Sequence, residues 1–357
     1  MEREQSAFHV FDMNRARKTV VCLALVIANA HPRASQEFEI GIIDFYGLGR
    51  ISENDARQAL AFKVGDTITL SGDKPPAVVA ESERRLSTLP GVTRGHANLV
   101  CCDAGRVIVY VGVERREQRA ARFRPPPRGN ARLPADIVQS GNEFSAAVMS
   151  AVQRGDAGED DTQGHALLHD PAARAIQERF VGYAARDLKK LRTVLRTSAD
   201  SDHRALAAEI LGYVANKQSV VSDLVYGMSD SSSNVRNSAS RSLVVFARLA
   251  PTSARPMVRV PYKPFIELLQ SSVWTDRNKA SWALMELSER GDAKLLGTLR
   301  RLALVPLIEM ARWQSQGHAT PALMILGRIA GQSDVAVQAA LARGEREDII
   351  NEALKRQ

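Results

Sequence analysis

The pattern that most restricts this chain is a recurrence in its second half. Arg204-Ala205-Leu206-Ala207, followed by Ile210-Leu211, returns as Arg236-Asn237-Ser238-Ala239 with Ser242-Leu243. It returns again as Arg277-Asn278-Lys279-Ala280 with Ala283-Leu284, and more weakly as His318, Pro321 and Met324-Ile325. Leu211, Leu243, Leu284 and Ile325 are spaced 32, 41 and 41 residues apart. Helical periodicity runs from Asp170-Pro171, an N-cap with proline at the first helical position, almost to the end. Asp, Ser, Gly and Pro break it at intervals. One helix pair cannot bury its apolar face alone, so such copies must stack.

Each strong copy has an acid near its start, Asp202, Asp230 or Asp276. The pattern of Asp202, Arg204, Ala207, Ile210, Leu211 and Gly212 resembles HEAT repeats. That resemblance implies a curved solenoid of helix pairs in which Asp202, Arg204, Asp230, Arg236, Asp276 and Arg277 tie neighbouring repeats together. Ala207, Ala239 and Ala280 are small enough to let helices approach closely. The third copy departs in having Arg277 directly after Asp276, and the fourth lacks both residues.

Ahead of the repeats, residues 38–114 read as strand, helix, helix, strand, strand. The β-rich run FEIGIIDFY ends at Gly47 and Gly49. Ser52 and Asp55 form an acidic capping box for a helix through Ala61. Pro75-Pro76 opens a second helix with Val79, Ser82, Leu86 and Leu89 on one face. Strands at 92–102 and 106–114 meet at the turn Asp103-Ala104-Gly105. In the last strand both alternating sets, Val107, Val109, Val111 and Val113 against Ile108 and Tyr110, are apolar. This order, with LPGV before the second strand and VIVYVGVER in the third, resembles a POTRA domain. Those are small periplasmic modules of outer-membrane assembly proteins and, in a related form, of bacterial division proteins. The resemblance implies docking of a partner segment by strand addition to an open sheet edge. The edge is expected along 38–46 or a later strand, with Val107, Val109 and Val111 among the contacts.

Residues 1–36 read as an N-terminal extension and signal peptide. Asn14 to Lys18 is basic, 19–30 is apolar, and Ala28-Asn29-Ala30 offers small residues for cleavage. The apolar run is too short for a bilayer core, and Met13 is the expected start. Export to the periplasm or medium follows, with no transmembrane span in the mature chain. Between the two modules, 118–169 is expected to be a linker. From 115 to 132 come Arg115, Arg116, Arg119, Arg122, Arg124, Arg128 and Arg132 against Glu117, with Pro125 to Pro127 holding the chain extended. Arg115, Arg116, Arg119, Arg122 and Arg124 are candidate contacts for an anionic partner, although a soluble linker is the plainer reading of them. A short helix is expected within 133–154 and a flexible acidic loop at 155–163.

The fold class is therefore multidomain, a small α+β POTRA-like domain at 38–117 followed by an all-α HEAT-like solenoid at 170–357. No cofactor, metal or catalytic set is expected. Gly47-Leu48-Gly49 lacks the third glycine of a dinucleotide fingerprint and reads as a turn. His165 and His169 precede a helix without an evident third ligand. Cys101 and Cys102 are adjacent, so they point to opposite faces of a strand unless bridged. Trp274 and Trp282 are read as inter-repeat packing. The chain reads as a non-catalytic protein-binding scaffold of the cell envelope, docking partners through the sheet edge and the concave face of the solenoid. The net charge of +8 leaves a nucleic-acid-binding solenoid as the alternative. An enzyme of the HEAT-like bilin-lyase sort would need acids and a cavity that the sequence does not display.

Overall fold

The computed structural model describes residues 36–70, 75–118, 120–249 and 257–355. The segment read as a signal peptide, except for Gln36, lies outside the described residues, as does Arg119.

The first module holds β1 (Gln36–Tyr46), α1 (Glu53–Gln58), β2 (Thr67–Leu70), α2 (Ala77–Leu86), β3 (Val92–Asp103) and β4 (Arg106–Arg115). The five elements expected from sequence are present. The short β2, whose Thr-Ile-Thr-Leu alternation is brief, adds a fourth strand between the helices. The sheet order is β2-β1-β4-β3, with β1 parallel to β4 and the other pairs antiparallel. Local chemistry sets the boundaries. Ser52 caps α1 by accepting the Asp55 amide at 3.0 Å. Gly47 turns the chain out of β1 at φ 75°, where a Cβ would lie 2.3 Å from the Val113 carbonyl oxygen. A side chain there would be blocked twice, by conformation and by contact.

Strand alternation divides β4 between two cores. Val107, Val109 and Val111 pack with Ile40, Ile43, Ala56, Val79 and Leu86 beneath α1 and α2. Ile108 and Tyr110, with Val100 and Tyr46, join the much larger core of the helical part. A sheet covered on both faces explains why both sets of β4 are apolar.

The helical part begins earlier than expected. Helix α3 (Ala135–Gln153) packs on α4 (Pro171–Arg186) and on α6 (Ser201–Leu211), which follows α5 (Leu188–Thr197). The acidic segment between α3 and α4 is not a free loop. It pairs β5 (Glu159–Asp160) with β6 (Leu167–Leu168), and its Glu159 and Asp161 take Arg241 and Arg248. The stack continues through α7 (Val221–Gly227), α8 (Ser233–Arg248), α9 (Lys263–Leu268), α10 (Trp274–Ser288), α11 (Ala293–Ala311), α12 (Gln316–Ile329), α13 (Asp334–Ala342) and α14 (Arg346–Lys355). Pairs α5/α6, α7/α8, α9/α10, α11/α12 and α13/α14 repeat, and the second helices stack in the order α6, α8, α10, α12, α14. Pro306 inside α11 cannot donate to the Leu302 carbonyl. Gln270 supplies that hydrogen bond from the preceding repeat at 3.0 Å.

Ion pairs join one repeat to the next. Arg204 meets Asp230 at 2.8 Å, Arg236 meets Asp276 at 2.7 Å, and Arg277 meets Glu309 at 2.7 Å. Arg204 and Asp230 are each 1% exposed, so these charges persist because every rung is also hydrogen-bonded. Arg204 donates to the Ser198 and Ala199 carbonyls, Arg236 to those of Asp230 and Ser231, and Arg277 to that of Ser271. Two details differ from the sequence reading. Asp202 is exposed in the first turn of α6, and the buried rungs run from Arg204 onward. The third carboxylate, Glu309, comes from within α11, where no acidic turn marks it.

Candidate partner-binding site

The residues expected to dock a partner strand are sealed inside the molecule. Val107, Val109 and Val111 are at most 3% exposed, and β4 lies between β1 and β3 with both edges paired. An inner strand has no free hydrogen-bonding edge, so that assignment is corrected. Strand β1 is likewise flanked, by β2 along Gln36 to Glu39 and by β4 from Ile40 onward.

The sheet ends in β2 and β3. The outward amides of β3 at Gly95 and Ala97 are taken by Ser87 Oγ at 3.2 Å and Glu83 Oε1 at 3.0 Å, both from the α2 side. This covering protects part of the β3 edge. On β2, no such side-chain cap is found among the described residues. Ile40 faces β2, donating to the Asp66 carbonyl and accepting from Gly65. Alternation from that point turns Ile68 toward β1 and directs the main chain of the exposed Thr67 and Thr69 off the sheet.

The sheet face that an isolated module would expose is docked on the helices. Tyr110 stacks on Trp274 at 5.3 Å between ring centroids and leans on Trp313 at 4.7 Å. Its hydroxyl lies 2.6 Å from His318 Nδ1. Tyr46 donates to the Ser272 carbonyl at 2.6 Å, and its ring lies under the Arg277 guanidinium at 4.4 Å. Burial pushes the Tyr46 phenol well above its ordinary pKa. Asp44 accepts from the Gln314 amide at 2.9 Å, yet burial still raises its carboxyl above the usual range. Burial, and then Lys279, push His318 down to about 4, so the ring is neutral near pH 7. The tryptophans Trp274 and Trp313 therefore hold the sheet to the solenoid, a role that repeat periodicity alone does not reveal.

The arginine-rich linker is a strap, not a tether. Phe123 covers the Arg236 rung at 3.6 Å. The Arg124 amide donates to the Ser229 carbonyl at 2.7 Å, Gly129 accepts from Ala199 at 2.7 Å, and the Leu133 amide reaches His203 at 2.9 Å. The strap thus runs from the sheet across the turns before α8 and α6. Of the candidate arginines, Arg115 donates to the Gly47 carbonyl at 2.8 Å. Arg124 spends Nε and Nη2 on Ser229 and Tyr226, while Arg116 and Arg122 stay exposed. His165 sits 2.8 Å from Lys217 Nζ and stacks on Tyr213. Cys101 and Cys102 are bridged to each other at the end of β3.

A basic surface that the sequence did not single out adjoins the strap. Lys189, Arg192 and Arg196 with Leu188, Thr193 and Thr197 line an open groove of about 470 Å³ on α5.

No protein-family model and no curated protein matches this chain. Among solved structures it is similar to a designed armadillo repeat protein in complex with the peptide (KR)4. The two share 15% identity over 52% of this chain and 93% of that one, with a TM-score of 0.35. The repeat architecture described above rests on this chain's own stacked helix pairs and ion-pair rungs.

Proposed function

We propose that this chain is a non-catalytic, protein-binding scaffold of the bacterial cell envelope, whose β2 edge pairs with an extended segment of its partner. The observation that carries this reading is the outer edge of β2, which has no side-chain cap among the described residues, at the opposite end of the sheet from a β3 edge that α2 partly covers. Strand addition needs main-chain donors and acceptors turned outward, and Thr67 and Thr69 supply them. The resemblance of the sheet module to POTRA domains supports the same mode. Docking the sheet on the helical stack makes one body, so a strand held at β2 is fixed relative to any second protein held by the helices. The basic and apolar runs of residues 14–30 support export, and no helix of the described residues is long and apolar enough to cross a membrane.

The test is capture of partners by crosslinking from envelope fractions, with wild type and Thr69→Pro compared. Proline on an outward-facing position of an edge strand removes a donor without breaking the pairing to β1. Loss of capture with an unchanged thermal midpoint supports the reading, and full capture by the variant removes β2 as the docking edge. The intact mass of the native protein tests export separately. A form beginning near His31 or Gln36 supports it, and a full-length cytosolic form overturns it.

A further inference from the structure

The groove on α5 carries a second inference, independent of strand docking at β2. Three guanidiniums converge where α5, α7 and the strap meet. Arg124 lies 3.4 Å from the centre of the Tyr226 ring, and Arg196 lies 4.4 Å from it. Arg196 and Arg192 share the carboxylate of Asp223, at 2.7 and 2.9 Å. The row continues along α5 through the exposed Lys189.

Each of the three arginines is pinned in the same way. Arg124 uses Nε on Ser229 and Nη2 on the Tyr226 carbonyl. Arg192 uses Nε on Asp223 and Nη2 on the Ser219 carbonyl. Arg196 uses both Nε and Nη2 on Asp223. Nη1 of each has no partner among the described residues. Asp223, 8% exposed, is the carboxylate that orients two of them, and it leaves the cluster strongly positive.

We propose that this surface binds an acidic peptide segment, a run of Asp or Glu side chains laid along α5. Guanidiniums fixed through Nε and Nη2 present their remaining donors in set directions, which suits planar carboxylates and has already met the ordering cost of long side chains. Thr193 and Thr197 place hydroxyls between the cations in the same groove. The two other anionic classes fit less well. Single-stranded nucleic acid wants an aromatic face for its bases, and the Tyr226 ring already carries two guanidiniums. An anionic bilayer attracts basic segments by net charge near its surface and needs no pinned donors; here three cations are held in set directions by internal hydrogen bonds.

The experiment is fluorescence anisotropy of labelled octaglutamate with the full chain at physiological salt. An oligothymidylate and phosphatidylglycerol-containing vesicles are run in parallel. Two variants are compared. Arg124→Lys keeps the charge and loses the fork, and Lys189→Glu reverses charge at an exposed groove position with no ion pair among the described residues. Octaglutamate is expected to bind saturably, and each variant to weaken it by about tenfold. Thermal melts establish that both variants are folded, and the lysine variant stands alone if Arg124→Lys is not. Absence of saturable octaglutamate binding overturns the proposal. So does tighter binding of the oligothymidylate or the vesicles, or an octaglutamate affinity that neither variant changes.

Discussion

The hydroxyl of Tyr110 and Nδ1 of His318 lie 2.6 Å apart, joining an inner strand of the sheet to the first turn of α12. His318 occupies the repeat position that Arg204, Arg236 and Arg277 fill in the earlier copies. Those arginines reach a carboxylate of the next repeat, whereas His318 reaches a phenol of the sheet. The ladder therefore passes from helix–helix ties to a tie between modules. Tyr46 over Arg277 and Phe123 over Arg236 cover two earlier rungs from the same N-terminal part. The rungs that join the repeats are thus also the seat on which the sheet and its strap are docked.

That tie predicts a pH dependence. His318 is depressed from the ordinary 6.5 to about 4, by burial first and by Lys279 second. Between those values the unfolded chain binds a proton that the folded chain refuses, so stability is complete above about pH 6.5 and falls as pH drops toward 4. At 1.36 kcal/mol per unit, the loss from this residue is about 3 kcal/mol. Asp44, raised by burial above its ordinary 3.8, acts in the opposite sense, since its protonation favours the folded state. His318→Asn keeps a polar atom near Nδ1 and removes the titration. Denaturant melts of this variant should lose less stability from pH 7 to 5 than wild type. Parallel curves would dissociate His318 from the acid response.

Gly112 predicts the cost of separating sheet from stack. A Cβ there would fall 2.1 Å from the Ser272 carbonyl oxygen and 2.6 Å from the Tyr46 ring. The first obstacle is backbone and cannot rotate away. Gly112→Ala should destabilise by about 3 kcal/mol, at the upper end of overpacking effects, and shift emission of the buried Trp274 and Trp313 toward that of solvated indole. Gly182 in α4 has open space at its Cβ position. Gly182→Ala should stabilise by about 0.5–1 kcal/mol through helix propensity. Equal effects at the two sites would refute the close-approach argument.

Much of this organisation was readable from residue spacing. The Arg204, Arg236 and Arg277 recurrence located the stacked helices, and LPGV with the apolar β4 located the sheet. The doubly apolar β4 is the trace of a sheet covered on both sides, but alternation says neither that both covers lie within the chain nor what the second one is. Tyr46, Tyr110, Trp274 and Trp313 meet across more than 160 residues of sequence, a separation at which no local pattern carries information. The same limit hid Asp223 between Arg192 and Arg196, and Tyr226 beneath Arg124. Short β2 was missed because four alternating residues fall within the background of any loop. The acidic 155–163 segment looked free because its partners, Arg241 and Arg248, lie in α8.

The buried acids of the repeats give the sharpest stability prediction. Asp276 takes Arg236 through both oxygens and Ser271 Oγ at 2.7 Å, all of it buried. Removing one partner of such a pair leaves a charge without compensation in a dry setting, at about 3–5 kcal/mol. Arg236 keeps the Asp230 and Ser231 carbonyls, so Asp276→Asn is expected near the lower end and Asp276→Ala near the upper. Urea melts of the two variants check this, and a loss below about 1 kcal/mol for Asp276→Ala would refute the buried-rung argument.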